Sequence, residues 1–155
     1  MSDCCSVKAP AIPATAMACP ECGGRSKQVG IVTVKSLVRH LPFGMDSAQY
    51  YFCESPACDV VYFPSNAQAP TFRRNELLVR VGLKEAHDPI TLCYCFGVSR
   101  ADIVDEVRQN GKSALAERVR AEVQAGNCAC ELKNPSGKCC LGNITRAVQD
   151  AAGSG

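Results

Sequence analysis

Residues 50–63, "YYFCESPACDVVYF", set two runs rich in aromatic and β-branched residues, Tyr50–Phe52 and Val60–Phe63, on either side of a Cys-x4-Cys segment. Such runs favour extended strands, and the Pro-containing stretch between them marks a turn. The segment therefore reads as a hairpin carrying Cys53 and Cys58 at its tip. Earlier in the chain, "CPECGG" (19–24) supplies Cys19 and Cys22, with thirty residues between Cys22 and Cys53. The glycine after Cys22 tolerates positive φ, so the loop can wrap with backbone N–H groups aimed at sulfur.

Two such knuckles on adjacent hairpins are the layout of a zinc ribbon with tetrahedral Cys4 coordination by Cys19, Cys22, Cys53 and Cys58. S4 ligation suits iron as well as zinc. Zinc is the reading adopted, because a closed site without redox duty needs no tuning. Its role is structural: it holds together a sheet too small to be stable alone.

The totals point the same way. The chain has 155 residues, enough for one domain or two small ones. Its hydrophobic fraction of 46 % includes all twelve cysteines, and Trp is absent. Two half-sized domains would each have a thin core and would need a disulfide or metal staple. The cysteines fall in close pairs, Cys4/Cys5, Cys19/Cys22, Cys53/Cys58, Cys93/Cys95, Cys128/Cys130 and Cys139/Cys140, which suits chelation.

The net charge of +2 gives no strong field for nucleic acid or an anionic membrane. No stretch approaches the roughly 18 apolar residues of a membrane span. The opening "MSDCCSVKAPAIPATAMA" lacks the continuous apolar core of a secretory signal, so a cytoplasmic location is the default expectation. Thiols there stay reduced, and paired cysteines indicate metal rather than a disulfide scaffold.

An α+β organisation follows, with a β-rich zinc ribbon ahead of a helical domain. Residues 1–18 read as a flexible tail, 19–88 as the zinc-ribbon domain and 89–152 as the helical domain, with polar "KEAHDP" (84–89) at the boundary. "QVGIVTVKSLV" (28–38) reads as strand. "TFRRNELLVRVGL" (71–83) could be a connector, but strand is the preferred reading. Beyond residue 90 the pattern turns helical. Ser99 and Asp102 form a capping box, and Gly111 ends that helix. Leu115, Val119 and Val123 share one face of the next helix, closed by Gly126, and Leu141, Ile144, Val148 and Ala151 form a stripe on a last one.

"TLCYCFGVSRADIVDEV" (91–107) places Cys93 and Cys95 just before the capped helix, and 34 residues then separate Cys95 from Cys130 in "CELKNPSGKCC" (130–140). This resembles the bacterioferritin-associated ferredoxin type of 2Fe–2S domain, with the closing cysteine pair stretched further apart. Thiolates at a loop-to-helix junction benefit from the helix N-terminal dipole.

"CPEC", "YYFCESPACDVVYF", "FRRNELLVRVGLKE", "CYCFGVS" and "NPSGKCCLG" occur in this order, and together they resemble the N-terminal half of the CopZ-type copper chaperones. The resemblance covers about residues 19–150. In that family a zinc ribbon is joined to a 2Fe–2S domain, and a C-terminal ferredoxin-like domain with an exposed Cys pair, absent from these 155 residues, carries copper. It implies zinc at Cys19, Cys22, Cys53 and Cys58. It also implies a 2Fe–2S cluster at Cys93, Cys95, Cys130 and one of Cys139 and Cys140. Cys140 is chosen because it lies closest to the last helix, and Cys130 over Cys128 because it keeps the spacing to "NPSG".

The function so implied is metal homeostasis. Cluster one-electron chemistry would reduce Cu(II) to Cu(I) or pass electrons on, with Cu+ or another thiophilic ion as cargo and a redox or metal-transfer protein as partner. Cys4 and Cys5 form an adjacent dithiol suited to Cu(I) or Hg2+. A small ferredoxin-like electron carrier is the alternative. A zinc-ribbon nucleic-acid adaptor using Arg73, Arg74 and Arg80 is a further one, not favoured because no aromatic and basic residues interleave. His40 and His87 stand apart from every cysteine pair and read as surface or packing residues. No nucleophile–base pair or acidic dyad stands out, so enzyme chemistry beyond metal-ion reduction has little support.

Overall fold

The computed structural model describes residues 17–43, 45, 48–66 and 68–153; Cys4 and Cys5 lie outside them. Five strands, β1 (Met17–Ala18), β2 (Arg25–Val29), β3 (Tyr50–Cys53), β4 (Val60–Pro64) and β5 (Phe72–Arg73), form one antiparallel sheet in chain order. Helix α1 (Ile31–Leu37) lies between β2 and β3. A two-stranded ribbon follows, β6 (Thr91–Cys93) with β7 (Val98–Ser99), leading into α2 (Arg100–Asn110) and α3 (Leu115–Gln124). The short α4 (Cys130–Lys133) and then α5 (Leu141–Gly153) complete the order. Among the described residues, no helix is long and apolar enough to cross a membrane.

The β3–β4 hairpin organises the sheet. Tyr51 pairs with Phe63 and Phe52 with Tyr62, and both pairs are in ring contact, with centroids 5.6 and 6.0 Å apart. Strand alternation sends Tyr50 and Phe52 into a core with Val29, Val34 and Phe72. It sends Tyr51 and Cys53 to the opposite face, with Cys19, Cys58, Val60 and Phe63. A register shift against β5 makes Val61 an extra residue, so Val61 and Tyr62 both reach the first core.

Two stretches depart from their sequence expectation. The strand expected over 28–38 ends at Val29, and Ile31–Leu37 is helix α1. Its buried residues Thr33, Val34 and Leu37 fall on one helical stripe, and Thr33 Oγ1 donates to the Glu131 carbonyl at 2.7 Å. Packing of that stripe outweighs the modest strand preference of its β-branched residues.

The strand preferred over 71–83 is only Phe72–Arg73, so the connector alternative describes the rest. Pairing stops where Arg74 N–H meets the Asp59 carbonyl, at the cysteine tip of the hairpin, beyond which β4 offers no further partner. The chain continues through two 3₁₀ turns, Arg74–Glu76 and Gly82–Lys84, while Leu77 and Val81 anchor it in the first core.

The helical expectations hold. Ser99 Oγ accepts from Asp102 N–H at 3.2 Å, and Ser99 N–H donates to the Asp102 carboxylate at 2.9 Å. Gly111 takes the left-handed conformation just past α2. Ile103, Val119, Val123 and Ile144 interlock with Cys93 and Cys140 in a separate core. The 130–137 segment packs back on the first half of the chain, where the buried Tyr62 hydroxyl donates to the Pro135 carbonyl at 2.5 Å. Tyr62→Phe leaves that carbonyl without its donor and is expected to cost about 1–3 kcal/mol in chemical denaturation. An unchanged midpoint would show that this contact contributes nothing.

Candidate metal centres

The first cysteine group sits at one end of the sheet, where the β1–β2 and β3–β4 turns lie side by side because Ser26 pairs with Cys53. The Cys19–Gly24 turn is closed by Gly23 N–H on the Cys19 carbonyl at 2.8 Å and by Cys19 N–H on the Gly24 carbonyl at 2.9 Å. Gly23 has φ of 69°, and the Gly24 N–H points at Cys22 Sγ at 3.3 Å. A Cβ on Gly24 would displace the Ser55 hydroxyl and press on Cys22 Sγ, so the two knuckles touch here. In the second knuckle, Cys58 N–H closes on the Ser55 carbonyl at 3.2 Å.

The four sulfurs of Cys19, Cys22, Cys53 and Cys58 all lie within 4.8 Å of one another. Cys19 Sγ is 4.0 Å from Cys58 Sγ, and Cys22 Sγ is 3.7 Å from Cys53 Sγ. Cys19, Cys53 and Cys58 are buried and Cys22 is exposed. Burial pushes the Cys58 thiol up to about 12 and raises that of Cys19. Hydrogen bonding with Ser55, then from Gly24 N–H, brings Cys22 down to about 6. Four convergent sulfurs of this kind ionise together only around a cation, and a d10 ion with tetrahedral preference matches the donor set.

The arginines near this end are occupied. Arg73 forms a two-pronged pair with Glu21 of the first knuckle and lies 3.7 Å from Asp59 beside the second. Arg74 Nε is 3.1 Å from Asp59, and Arg80 reaches Glu85 at 2.6 Å. A free basic strip of Arg73, Arg74 and Arg80 is therefore not formed. Lys84 is not distinguished by the sequence. It is 4 % exposed, and its Nζ donates to the carbonyls of Ser55 at 2.7 Å and Cys58 at 3.1 Å. Buried lysines are rare, and nothing in "KEAHDP" distinguishes this one from solvated charge. His40 and His87 are exposed.

The second group spans the helical half. Cys93 ends β6, Cys95 follows in the turn to β7, Cys130 opens α4 and Cys140 immediately precedes α5. Cys95 Sγ lies 3.6 Å from Cys130 Sγ and accepts from Ala129 N–H at 3.1 Å. Cys140 shares a core with Cys93. Interaction with Cys140 lowers Cys93 to about 7, while interaction with Cys130 and then Cys93 raises Cys140. Burial lifts Cys95 to about 11.

Among the described residues only the first group has three or more sulfurs mutually within 4.8 Å. The second is a chain of neighbouring thiols rather than a convergent set. Cys139 is a half-buried free thiol, and Cys128 is disulfide-bonded and offers none. Gly24→Ala should drive the Ser55 hydroxyl away from Cys22 and weaken Co(II) binding at the first group, read from the thiolate charge-transfer and d–d bands. Unchanged Co(II) affinity would show that their close approach is dispensable.

Residues 16–78 match the CopZ-type family described as a zinc binding domain. The chain is 35 % identical over 130 residues to the copper chaperone CopZ of Archaeoglobus fulgidus, across 84 % of this chain and 61 % of that protein. It thus spans about three-fifths of that relative's length. It is also similar to the X-ray structure of the Archaeoglobus fulgidus CopZ N-terminal domain, with a TM-score of 0.65 at 35 % identity, covering 84 % of this chain and 96 % of that one. By its cysteine framework, its fold and these matches, the chain belongs to the CopZ-like family.

Proposed function

We propose that this chain is a metal-homeostasis module of the copper-chaperone type, working in the cytoplasm. Zinc is held by Cys19, Cys22, Cys53 and Cys58, and a 2Fe–2S cluster by Cys93, Cys95, Cys130 and Cys140. The two units run over residues 19–88 and 89–152, with the segment before Cys19 as a tail. The observation that carries this reading is the contrast between the two cysteine groups, in a chain related to an archaeal copper chaperone. Four sulfurs converging on one point suit a single tetrahedral ion. A binuclear cluster takes two thiolates on each iron, so its ligands need not converge.

The residues of the second group fit that role. Cys93, Cys130 and Cys140 are buried, Cys93 and Cys140 within an apolar core, which limits solvent access to a bound group. Ala129 N–H donates to Cys95 Sγ, the kind of bond that stabilises a ligating thiolate. A bound cluster supplies one-electron chemistry, which suits reducing an incoming thiophilic ion or a protein partner. Cys95 is the most accessible of the four ligands, and the exposed side chains of Phe96 and Leu132 lie next to Cys95 and near Cys130 in sequence. Either could meet an approaching partner. Copper is the cargo suggested by the relative's name.

Anaerobic purification followed by metal and acid-labile sulfide analysis tests the assignment. About one zinc, two irons and two sulfides per chain are expected, with an S = 1/2 signal on dithionite reduction. Cys140→Ser should remove iron and colour and leave zinc, Cys139→Ser should keep all three, and Cys19→Ser should lose zinc. Zinc without sulfide or colour in the native chain would sink the cluster assignment. Colour that survives Cys140→Ser but not Cys139→Ser would transfer the fourth ligand to Cys139.

A further inference from the structure

The two cysteine groups are joined by one short segment, Arg80–Lys84, whose polar contacts run both ways. At its far end the side chain of Lys84 enters the first site. Lys84 Nζ donates to the Ser55 and Cys58 carbonyls, which bracket the second knuckle. The Lys84 carbonyl in turn accepts from Arg74 Nη1 at 2.9 Å, and Arg74 pairs with Asp59, the residue after Cys58. At its near end the segment is gripped by Tyr94, which lies between Cys93 and Cys95. The Tyr94 hydroxyl accepts from Gly82 N–H at 2.7 Å and donates to the Arg80 carbonyl at 2.8 Å. Gly82 packs so closely on the Thr91 carbonyl that any side chain there would collide with it. One strap is thus hydrogen-bonded to the ligand loop of each cysteine group.

We infer that Lys84 is a positioning residue of the Cys19/Cys22/Cys53/Cys58 site, and that the Arg80–Lys84 strap transmits the state of that site to the Cys93–Cys95 loop through Tyr94. The first part rests on burial and geometry. A lysine side chain 4 % exposed is costly to order unless its nitrogen is satisfied, and here it is satisfied by carbonyls of the ligand turn itself. A tetrathiolate around a divalent ion carries net negative charge, and a cation on the carbonyl of Cys58 offsets it from just outside the ligands. Groups in that position orient metal ligands, and their loss typically costs 10–100-fold in metal affinity.

The second part follows from chain length. Three residues separate Arg80 from Lys84, so an opening of the second knuckle that releases Lys84 pulls directly on the carbonyl and N–H held by Tyr94. Coupling of this kind needs a physical link that both sites bias, and the strap is one.

The inference rests on metal occupancy of the first site, so the test begins there. Zinc affinity of the full chain is measured by competition with a chromophoric chelator. Hydrogen–deuterium exchange of residues 91–97 is then compared in zinc-loaded and zinc-stripped protein. Lys84→Met is expected to weaken zinc binding by about 10–100-fold with the circular dichroism spectrum of the loaded form unchanged. If Lys84→Met fails to fold, Lys84→Ala is titrated with butylammonium and with butanol. Recovery by the cation alone supports a charged positioning role, and equal recovery by both overturns it in favour of packing.

Zinc removal should deprotect residues 91–97 in the native sequence, and Tyr94→Phe, which keeps the ring and loses both hydrogen bonds, should abolish the difference. Native-level zinc affinity in Lys84→Met overturns the positioning role alone. Exchange at 91–97 that ignores zinc in the native chain overturns the relay alone. A native chain that binds no zinc at these cysteines overturns both, together with the zinc assignment.

Discussion

The structure depends on the convergence of four cysteine sulfurs at the end of the five-stranded sheet. One face of that sheet has a full apolar core, built from residues such as Val34, Tyr50, Phe52, Tyr62 and Phe72. The other has only Tyr51, Val60 and Phe63 besides Cys19, Cys53 and Cys58, half of its buried residues being thiols. So little apolar surface stabilises weakly, and thiols that burial pushes toward the neutral form gain little from one another. A cation at their centre would reverse that balance, because ligand binding and folding then draw on the same free energy. The pairing of Ser26 with Cys53 sets both turns at the same end of the sheet, and the aromatic contacts across β3 and β4 hold the second knuckle's own hairpin in register.

The second cysteine group is assembled differently. Its members come from the end of a ribbon strand, the following turn, the start of α4 and the residue before α5. No local turn chemistry could gather them. The packing of Ile103, Val119, Val123 and Ile144 does so, by bringing α5 against α2 and α3 with Cys93 and Cys140 in the same core. The first group is therefore specified by two hairpins, the second by a helical core.

This difference explains what could be read from the sequence. The knuckles, the β3–β4 hairpin, the capping box at Ser99 and the helix end at Gly111 are encoded within a few residues each, and all were legible. Helix α1 was not, because Ile31, Val32, Thr33 and Val34 favour a strand locally. What makes them helical is the burial of Thr33, Val34 and Leu37 and a bond to Glu131, almost a hundred residues away. The connector after Phe72 was misread for a related reason. Its apolar residues satisfy a strand pattern, but β4 has no backbone left to pair with them. Lys84 could not be singled out at all, since its burial follows only from where the strap passes.

Exposure separates what the two centres can do. In the first group three sulfurs are buried, and Cys22, though exposed, is held by Ser55 and the Gly24 N–H. An enclosed site of this kind suits a structural role. In the second group the sulfurs at the Cys95–Cys130 end are flanked in sequence by Phe96 and Leu132, 37 % and 48 % exposed, on a loop and a four-residue helix rather than in the sheet. Electrons cross a short apolar gap without ligand exchange, whereas a metal ion must be handed over by thiols that can move. If the second group holds the proposed cluster, ligands that lie near the surface would suit electron transfer better than metal handover. Metal handover would then be left to thiols outside both groups, and of the free thiols among the described residues only half-buried Cys139 belongs to neither.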